Sequence, residues 1–276
     1  MLGTGPTLLC VHPHPDDEAI ACGGVLARAA ATGVRTVVVT CTDGAEGENL
    51  GGIDLGGRDL VDVRRDELDA AVRILGVDAH HRLGYRDSGM VGTPGNDHPD
   101  CFHRADLEEA ALRLATILRA ERPDAVVSDD ERGTYGHPDH IKAHAVTVRA
   151  VALAADPDAP LAGAPWRVAR RAVHTISHGR IAAAGAALDA AGLPSPFEER
   201  PDGFGTPDAA VTTRVDVAAH VGTKLDAMRA HASQMSPDSF FLNLADLAAA
   251  FFAVEEFVIE DGDRVDGDAE DLLPPA

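Results

Sequence analysis

Thr7-Leu8-Leu9-Cys10-Val11 is followed by His12-Pro13-His14-Pro15-Asp16-Asp17-Glu18, then by an alanine-rich segment from Ala19 to Ala31, then by Arg35-Thr36-Val37-Val38-Val39-Thr40-Cys41. The first piece is an uninterrupted apolar run of the kind a fully buried strand shows, and the last is β-branched through its centre. Between them the pattern predicts a helix over 19–31. Asp16 and Asp17 stand where N-caps belong and Gly33 where a C-terminal stop belongs. Strand, helix and strand in succession are the unit of a parallel sheet.

The alternation continues outward. Residues 42–59 are Gly-rich and acidic, a loop too long to be a mere connection. A helix is expected over Leu60–Leu75, ending at Gly76, and a third strand over His80–Leu83. After a second long loop, 84–103, a helix is expected over Asp106–Glu121; Pro123 breaks it before a fourth strand, Ala125–Ser128. The fold class is therefore α/β, a Rossmann-like, mostly parallel sheet with helices on both faces and a smaller C-terminal elaboration. In such sheets ligands bind outside the carboxyl ends of the strands, so the polar loops 12–18, 42–48 and 128–140 should converge.

The C-terminal half is less patterned. A strand over Arg170–Ser177, helices over Ala182–Ala191 and Val217–Ala232, a Pro- and Gly-rich loop over 192–207 and a final or edge strand over Phe251–Glu260 are expected. The chain reads as one domain: a core over 1–155, an elaboration over 156–260, and an acidic, frayed tail over 261–276.

Composition narrows the function. With 45% hydrophobic but only 4% aromatic residues, the core must be built from Ala, Val, Leu and Ile. A net charge of −21 disfavours nucleic acid and anionic membrane surfaces, leaving a small neutral or cationic substrate as the partner. No run is apolar enough to span a bilayer and no leader opens the chain, so a cytoplasmic location is expected. Cys10, Cys22, Cys41 and Cys101 lack CxxC pairing and read as reduced, buried thiols.

Chemistry concentrates in two segments, His14-Pro15-Asp16-Asp17-Glu18 and Tyr135-Gly136-His137-Pro138-Asp139-His140. Taken alone, the aspartates could be helix caps and the histidines turn residues. Two clusters of imidazole and carboxylate, each after a strand, instead suggest a divalent ion held with an open position for water.

These two motifs resemble the LmbE-like (phosphatidylinositol-glycan class L type) zinc-dependent N-deacetylases, over about Leu8 to His144 with a fainter echo at His231–Gln234, and in particular their mycothiol-precursor branch. The resemblance implies that His14, Asp17 and His140 ligate Zn2+ (Fe2+ or another divalent ion being alternatives) and that Asp16 is the general base. It implies His137 as electrostatic partner or general acid, oriented by Asp139, with Tyr135 near the developing oxyanion. Arg64 and Asp87 fall where polyol hydroxyls would be held.

The same residue types suit the chemistry. Two imidazoles and one carboxylate leave the ion positively charged, Asp16 can take a proton from water, and Asp139 should raise the pKa of His137. His144 could replace His14 as ligand, His12 reads as a packed supporting histidine, and Glu46 and Glu48 as residues of an exposed loop. The activity expected is hydrolysis of an acetyl or other acyl group from the nitrogen of an amino sugar. Candidates are a thiol precursor, a thiol conjugate or a glycosylated secondary metabolite. A His14-x-Asp16 plus distant-His facial triad of an iron oxygenase, or a non-catalytic metal- or sugar-binding protein, are the competing readings.

Overall fold

Seven strands form one sheet in the order β3-β2-β1-β4-β5-β7-β6. They are β1 (Thr7–His12), β2 (Arg35–Thr42), β3 (Ala79–Tyr85), β4 (Ala125–Ser128), β5 (Arg170–Thr175), β6 (Thr213–Asp216) and β7 (Val254–Gly262). The first five are parallel, and β7 runs antiparallel to both its neighbours. The helices are α1 (Asp17–Ala31), α2 (Leu60–Ile74), α3 (Leu107–Glu121), the single turn α4 (Gly133–Gly136), α5 (Pro138–Ala155), α6 (His178–Ala191), α7 (Val221–Ala230) and α8 (Leu247–Phe252). This computed structural model describes residues 5–193, 195, 203–236, 239, 241, 242, 247–262 and 271–274.

Alternation along β1 sends its side chains to two cores. Leu8 and Cys10 pack with Cys22 and Leu26 of α1, Leu68 of α2, Met228 of α7 and Phe257 of β7. Leu9 and Val11 face Leu114 and Leu118 of α3 and Val146 and Ala150 of α5. Each fully buried leucine contributes roughly 1.5–3 kcal/mol by leaving water. Helices thus cover both faces, as the strand–helix alternation implied.

The first helix packs against an unusual polar core. Glu255 of β7 accepts the N–H groups of Gly24 and Val25 (2.8 Å each) and an ion pair from buried Lys224 of α7 at 2.5 Å. A Cβ at position 24 would lie 2.6 Å from Val217 and 2.8 Å from Glu255, so only glycine fits this approach.

The structure corrects several expectations. The expected final or edge strand over Phe251–Glu260 is β7, the final one of the described strands. It begins at Val254, because Phe251 and Phe252 end α8, and it lies between β5 and β6, not at an edge. β6 itself and the long helix α5 lie outside the elements read from the sequence; β6 is only four residues long. The expected helix over 217–232 is a 3-10 turn at 218–220 followed by α7. Part of the 192–207 loop, and residues 263–270 and 275–276 of the tail, lie outside the described residues. The described tail segment is anchored: Leu272 is buried and the Leu273 carbonyl accepts from Arg170 at 2.7 Å.

Among β1 to β5 the order 3-2-1-4-5 reverses between β1 and β4. At such a switch point the two following loops diverge and leave a crevice. The loop after β1 carries His14–Glu18, and the loop after β4 leads to His137–His140.

Candidate active site

Pro13 and Pro15 keep the chain extended after β1, and α1 then begins at Asp17. The residue between is strained: Asp16 has φ 137 and ψ −28, a region L-residues rarely adopt. It occupies the N-cap position, yet its side chain caps nothing. The cap expected of Asp16 is thus absent; Asp17 instead turns back and accepts the His14 N–H at 2.9 Å. Across the crevice His137 is the N-cap of α5, its Nδ1 accepting the Asp139 N–H at 3.1 Å, with Pro138 in the first turn.

The two segments meet. Asp17 Oδ2 lies 3.4 Å from His14 Nδ1 and 3.7 Å from His140 Nε2. Ligand atoms of His14, His137 and His140 all fall within 4.8 Å of one another, as do those of His14, Asp87 and Asp139. His140 Nδ1 is bound to Asp129 Oδ1 at 2.6 Å, whereas its Nε2 is buried and has no hydrogen-bond partner among the described residues. A histidine tied to a carboxylate through one nitrogen, with the other lone pair free beside a second carboxylate, is the arrangement of a metal ligand and its supporting acid. The residues present therefore fit a divalent ion.

Electrostatics separates the two neighbouring aspartates. Burial alone would raise both, but His140 and His14 hold Asp17 well below the usual carboxylate range. Burial wins at Asp16, which is pushed up to about 6 although Arg64 pulls it back. His14 is held well above an ordinary histidine because Asp139, Asp17 and Asp87 outweigh its burial.

The expectation that Asp139 keeps His137 charged is corrected. Burial, then the charges of His14 and His140, pull His137 down to about 4, against a weaker opposing pull from Asp139. The geometry agrees. The Asp139 carboxylate accepts from the Ser88 N–H at 2.9 Å and from the Ser88 hydroxyl, and lies 3.3 Å from His14 Nε2. Only its backbone N–H reaches His137.

Tyr135 places its ring 5.2 Å from that of His140 and 6.0 Å from that of His137, and burial keeps its hydroxyl protonated. Arg64, expected at a polyol, is largely buried and lines the cavity, as Asp87 does. It donates to the Gly44 carbonyl (2.7 Å), the Pro15 carbonyl (2.8 Å) and Asp16 Oδ2 (3.2 Å). Asp87 accepts the Gly89 N–H at 2.8 Å and lines the cavity. His144 is drawn away from the cluster, its Nδ1 2.9 Å from the Asp129 carbonyl oxygen. Glu46 is half-buried and paired with Arg86 at 2.5 Å, while Glu48 is exposed.

Sequence reasoning missed Asp129, which also bonds His174 Nε2 at 3.0 Å, and gave Glu18 no role. Glu18 accepts the Asp16 N–H at 3.1 Å and pairs with fully buried His231 at 2.7 Å. The echo at 231–234 is thereby explained: Ser233 binds Glu67 and Gln234 donates to the Glu48 carbonyl. Asp129 had a signal, an acid directly after a β-strand on the loop to His140, but no spacing rule linked the two.

The cluster opens on a cavity of about 630 Å³ whose far wall is apolar, with Ile176, Phe204, Phe251 and Phe252. Sheet order, crevice and donor set together are those of a metal-dependent hydrolase built on an open α/β sheet. The chain belongs to the PIG-L family, described as GlcNAc-PI de-N-acetylase, whose family model matches residues 9–151. It is an amide hydrolase of the deacetylase kind, and neither an oxygenase fold nor a purely binding role survives.

Among its relatives, the 1D-myo-inositol 2-acetamido-2-deoxy-alpha-D-glucopyranoside deacetylase of Thermomonospora curvata is 44% identical, over 96% of this chain and 93% of that one. The enzyme of the same description from Thermobispora bispora is also 44% identical, over 92% and 88%. Of solved structures, the conserved protein TT1542 from Thermus thermophilus superposes with a TM-score of 0.61 at 28% identity, covering 93% of this chain and 95% of that one. The N,N'-diacetylchitobiose deacetylase from Pyrococcus horikoshii shares the fold, with a TM-score of 0.63 at 24% identity over 93% and 84%.

Proposed function

We propose that this chain removes the acetyl group from the nitrogen of a 2-acetamido-2-deoxy-glucopyranoside carried on an inositol. The support is the 44% identity to deacetylases of that description over nearly the whole chain. The single structural observation behind the reaction is the meeting of His14, Asp17 and His140 beside the strained Asp16. His14, Asp17 and His140 would hold zinc, which when bound acidifies a water and polarises the amide carbonyl.

Asp16 takes the proton of the attacking water at its carboxylate and returns it to the leaving amine nitrogen. Its elevated pKa of about 6 suits both directions of that transfer. Arg64 and Glu18 fix it from opposite sides, through its carboxylate and its backbone N–H. His137, neutral and with Nδ1 committed to the Asp139 N–H, has Nε2–H left to donate to the oxyanion. A helix N-terminus disfavours an imidazolium there, so this donor stays uncharged. The protonated Tyr135 hydroxyl assists at the same oxygen. Asp87 and Arg64, which both line the cavity, would meet sugar hydroxyls, and Arg64 also holds the base.

The substrate is a small molecule. Among the described residues no helix is long and apolar enough to cross a membrane, and the four buried free thiols suit a reducing cytoplasm. Incubating the purified protein with the acetylated glucosaminyl-inositol and assaying free amine and acetate tests the reading; absence of both, with zinc present, overturns it. His140→Ala should abolish turnover and remove one equivalent of metal. The apolar far wall favours a second reading, cleavage of an amide on a thiol conjugate bearing an apolar group, which the same assay with such a conjugate would separate.

A further inference from the structure

Beneath the active site, on the face of the sheet that meets α1, lies a set of groups the reaction does not use. Cys10 and His12 are two apart on β1 and so point to the same face. Cys22 faces them from α1. The sulfurs of Cys10 and Cys22 and a nitrogen of His12 all fall within 4.8 Å of one another, and all three residues are 0% exposed.

Buried thiols in an apolar core need no explanation, but His12 does. Neither of its ring nitrogens has a hydrogen-bond partner among the described residues. Burying such groups unpaired costs about 1–3 kcal/mol each, and native structures normally answer it with a water or an ion.

We propose that Cys10, His12 and Cys22 form a second metal site, wholly internal and distinct from the catalytic one, that takes a thiophilic cation, zinc or copper(I). Two sulfurs and an imidazole are the donors such ions select. On binding zinc, both thiols lose their protons to solvent and neutral His12 supplies a lone pair, the two thiolates cancelling the dipositive charge in the dry core; copper(I) needs only one thiolate for neutrality, the second thiol keeping its proton. Asp129, bonded through Oδ1 to His140 and His174, lies near His12 without a hydrogen bond to it. One of its oxygens is within 4.8 Å of a His12 nitrogen, and its buried Oδ2 has no partner among the described residues. The ion would tie the end of β1 to α1, the two elements that carry His14, Asp16 and Asp17.

Metal-stripped protein refilled with cobalt(II) tests this, because the proposed catalytic ligands include no thiolate. The wild type should take up two equivalents and show thiolate-to-cobalt charge-transfer absorption in the near ultraviolet. The band should vanish, with one equivalent, in Cys10→Ser/Cys22→Ser. It should persist in Cys41→Ser and, with a single equivalent left, in His140→Ala. Elemental analysis of zinc and copper in protein as purified identifies the native ion. A wild type with one equivalent and no band overturns the proposal and leaves a buried water at His12. So does a second equivalent without the band, or a band that survives the double substitution. The wild-type measurement decides even if the double variant does not fold.

Discussion

Asp16 is held in a backbone conformation that costs of the order of 1–3 kcal/mol, and such strain persists only where the surroundings enforce it. Burial also pushes its carboxylate up, to about 6, against the pull of Arg64. A base must be ionised to act, so kcat/KM should climb through about pH 6 and level above it. Asp16→Asn should keep its metal and lose about 10²–10⁴-fold in kcat; a variant that loses metal instead would make Asp16 a ligand. Any fall at high pH would belong to other groups. His137, down at about 4, is already neutral across the working range and cannot supply a descending limb. Thus His137→Ala should lower kcat by roughly 10²–10³-fold, the worth of one oxyanion donor, while any descending limb stays where it was. A pH–rate profile that loses that limb would restore His137 as a proton donor. The motifs themselves were legible because both lie in short runs after strands. The charge state of His137 was not, since it depends on which atoms of Asp139 face it: the backbone N–H does, and the carboxylate faces Ser88.

At the scale of elements, the N-terminus of α1 is positioned by a helix that follows it by some two hundred residues. His231, at the end of α7, holds Glu18, and Glu18 holds the strained peptide of Asp16. Glu18→Gln or His231→Ala should leave metal content intact and lower kcat by about 10- to 10²-fold through misplacement of the base, with a smaller change in KM. Steady-state kinetics showing only a KM effect would assign this pair to substrate binding. Such long-range links mark the boundary of what the sequence reveals. β1, β2 and β4 have apolar or β-branched centres buried on both faces, so their pattern is unambiguous. β6 has four residues with alternating burial, and β7 carries Glu255 and Glu256 into the core, where no apolar pattern marks them. Those acids are buried because Lys224, Arg214 and backbone N–H groups meet them, partners that only the folded chain brings near.

For the whole molecule, the question is whether the matched segment 9–151 could stand without the rest. The sheet continues through β5, β7 and β6 without a break. The core over α1 draws Leu8, Cys10 and Leu26 from the first half and Val217, Met228 and Phe257 from the second. Removing the second half would expose that face at roughly 1.5–3 kcal/mol for each large side chain left bare, against a total stability of about 5–15 kcal/mol. It would also leave the Gly24 and Val25 N–H groups without Glu255, and Glu18 without His231. A chain ending at residue 155 should therefore be unfolded or aggregated and bind no metal at the catalytic cluster. The full chain should melt in one calorimetric transition whose van't Hoff and calorimetric enthalpies agree. Two resolved transitions, or a soluble fragment with dispersed amide resonances, would instead make the first 155 residues a domain in their own right, with the C-terminal half an addition to a site already complete.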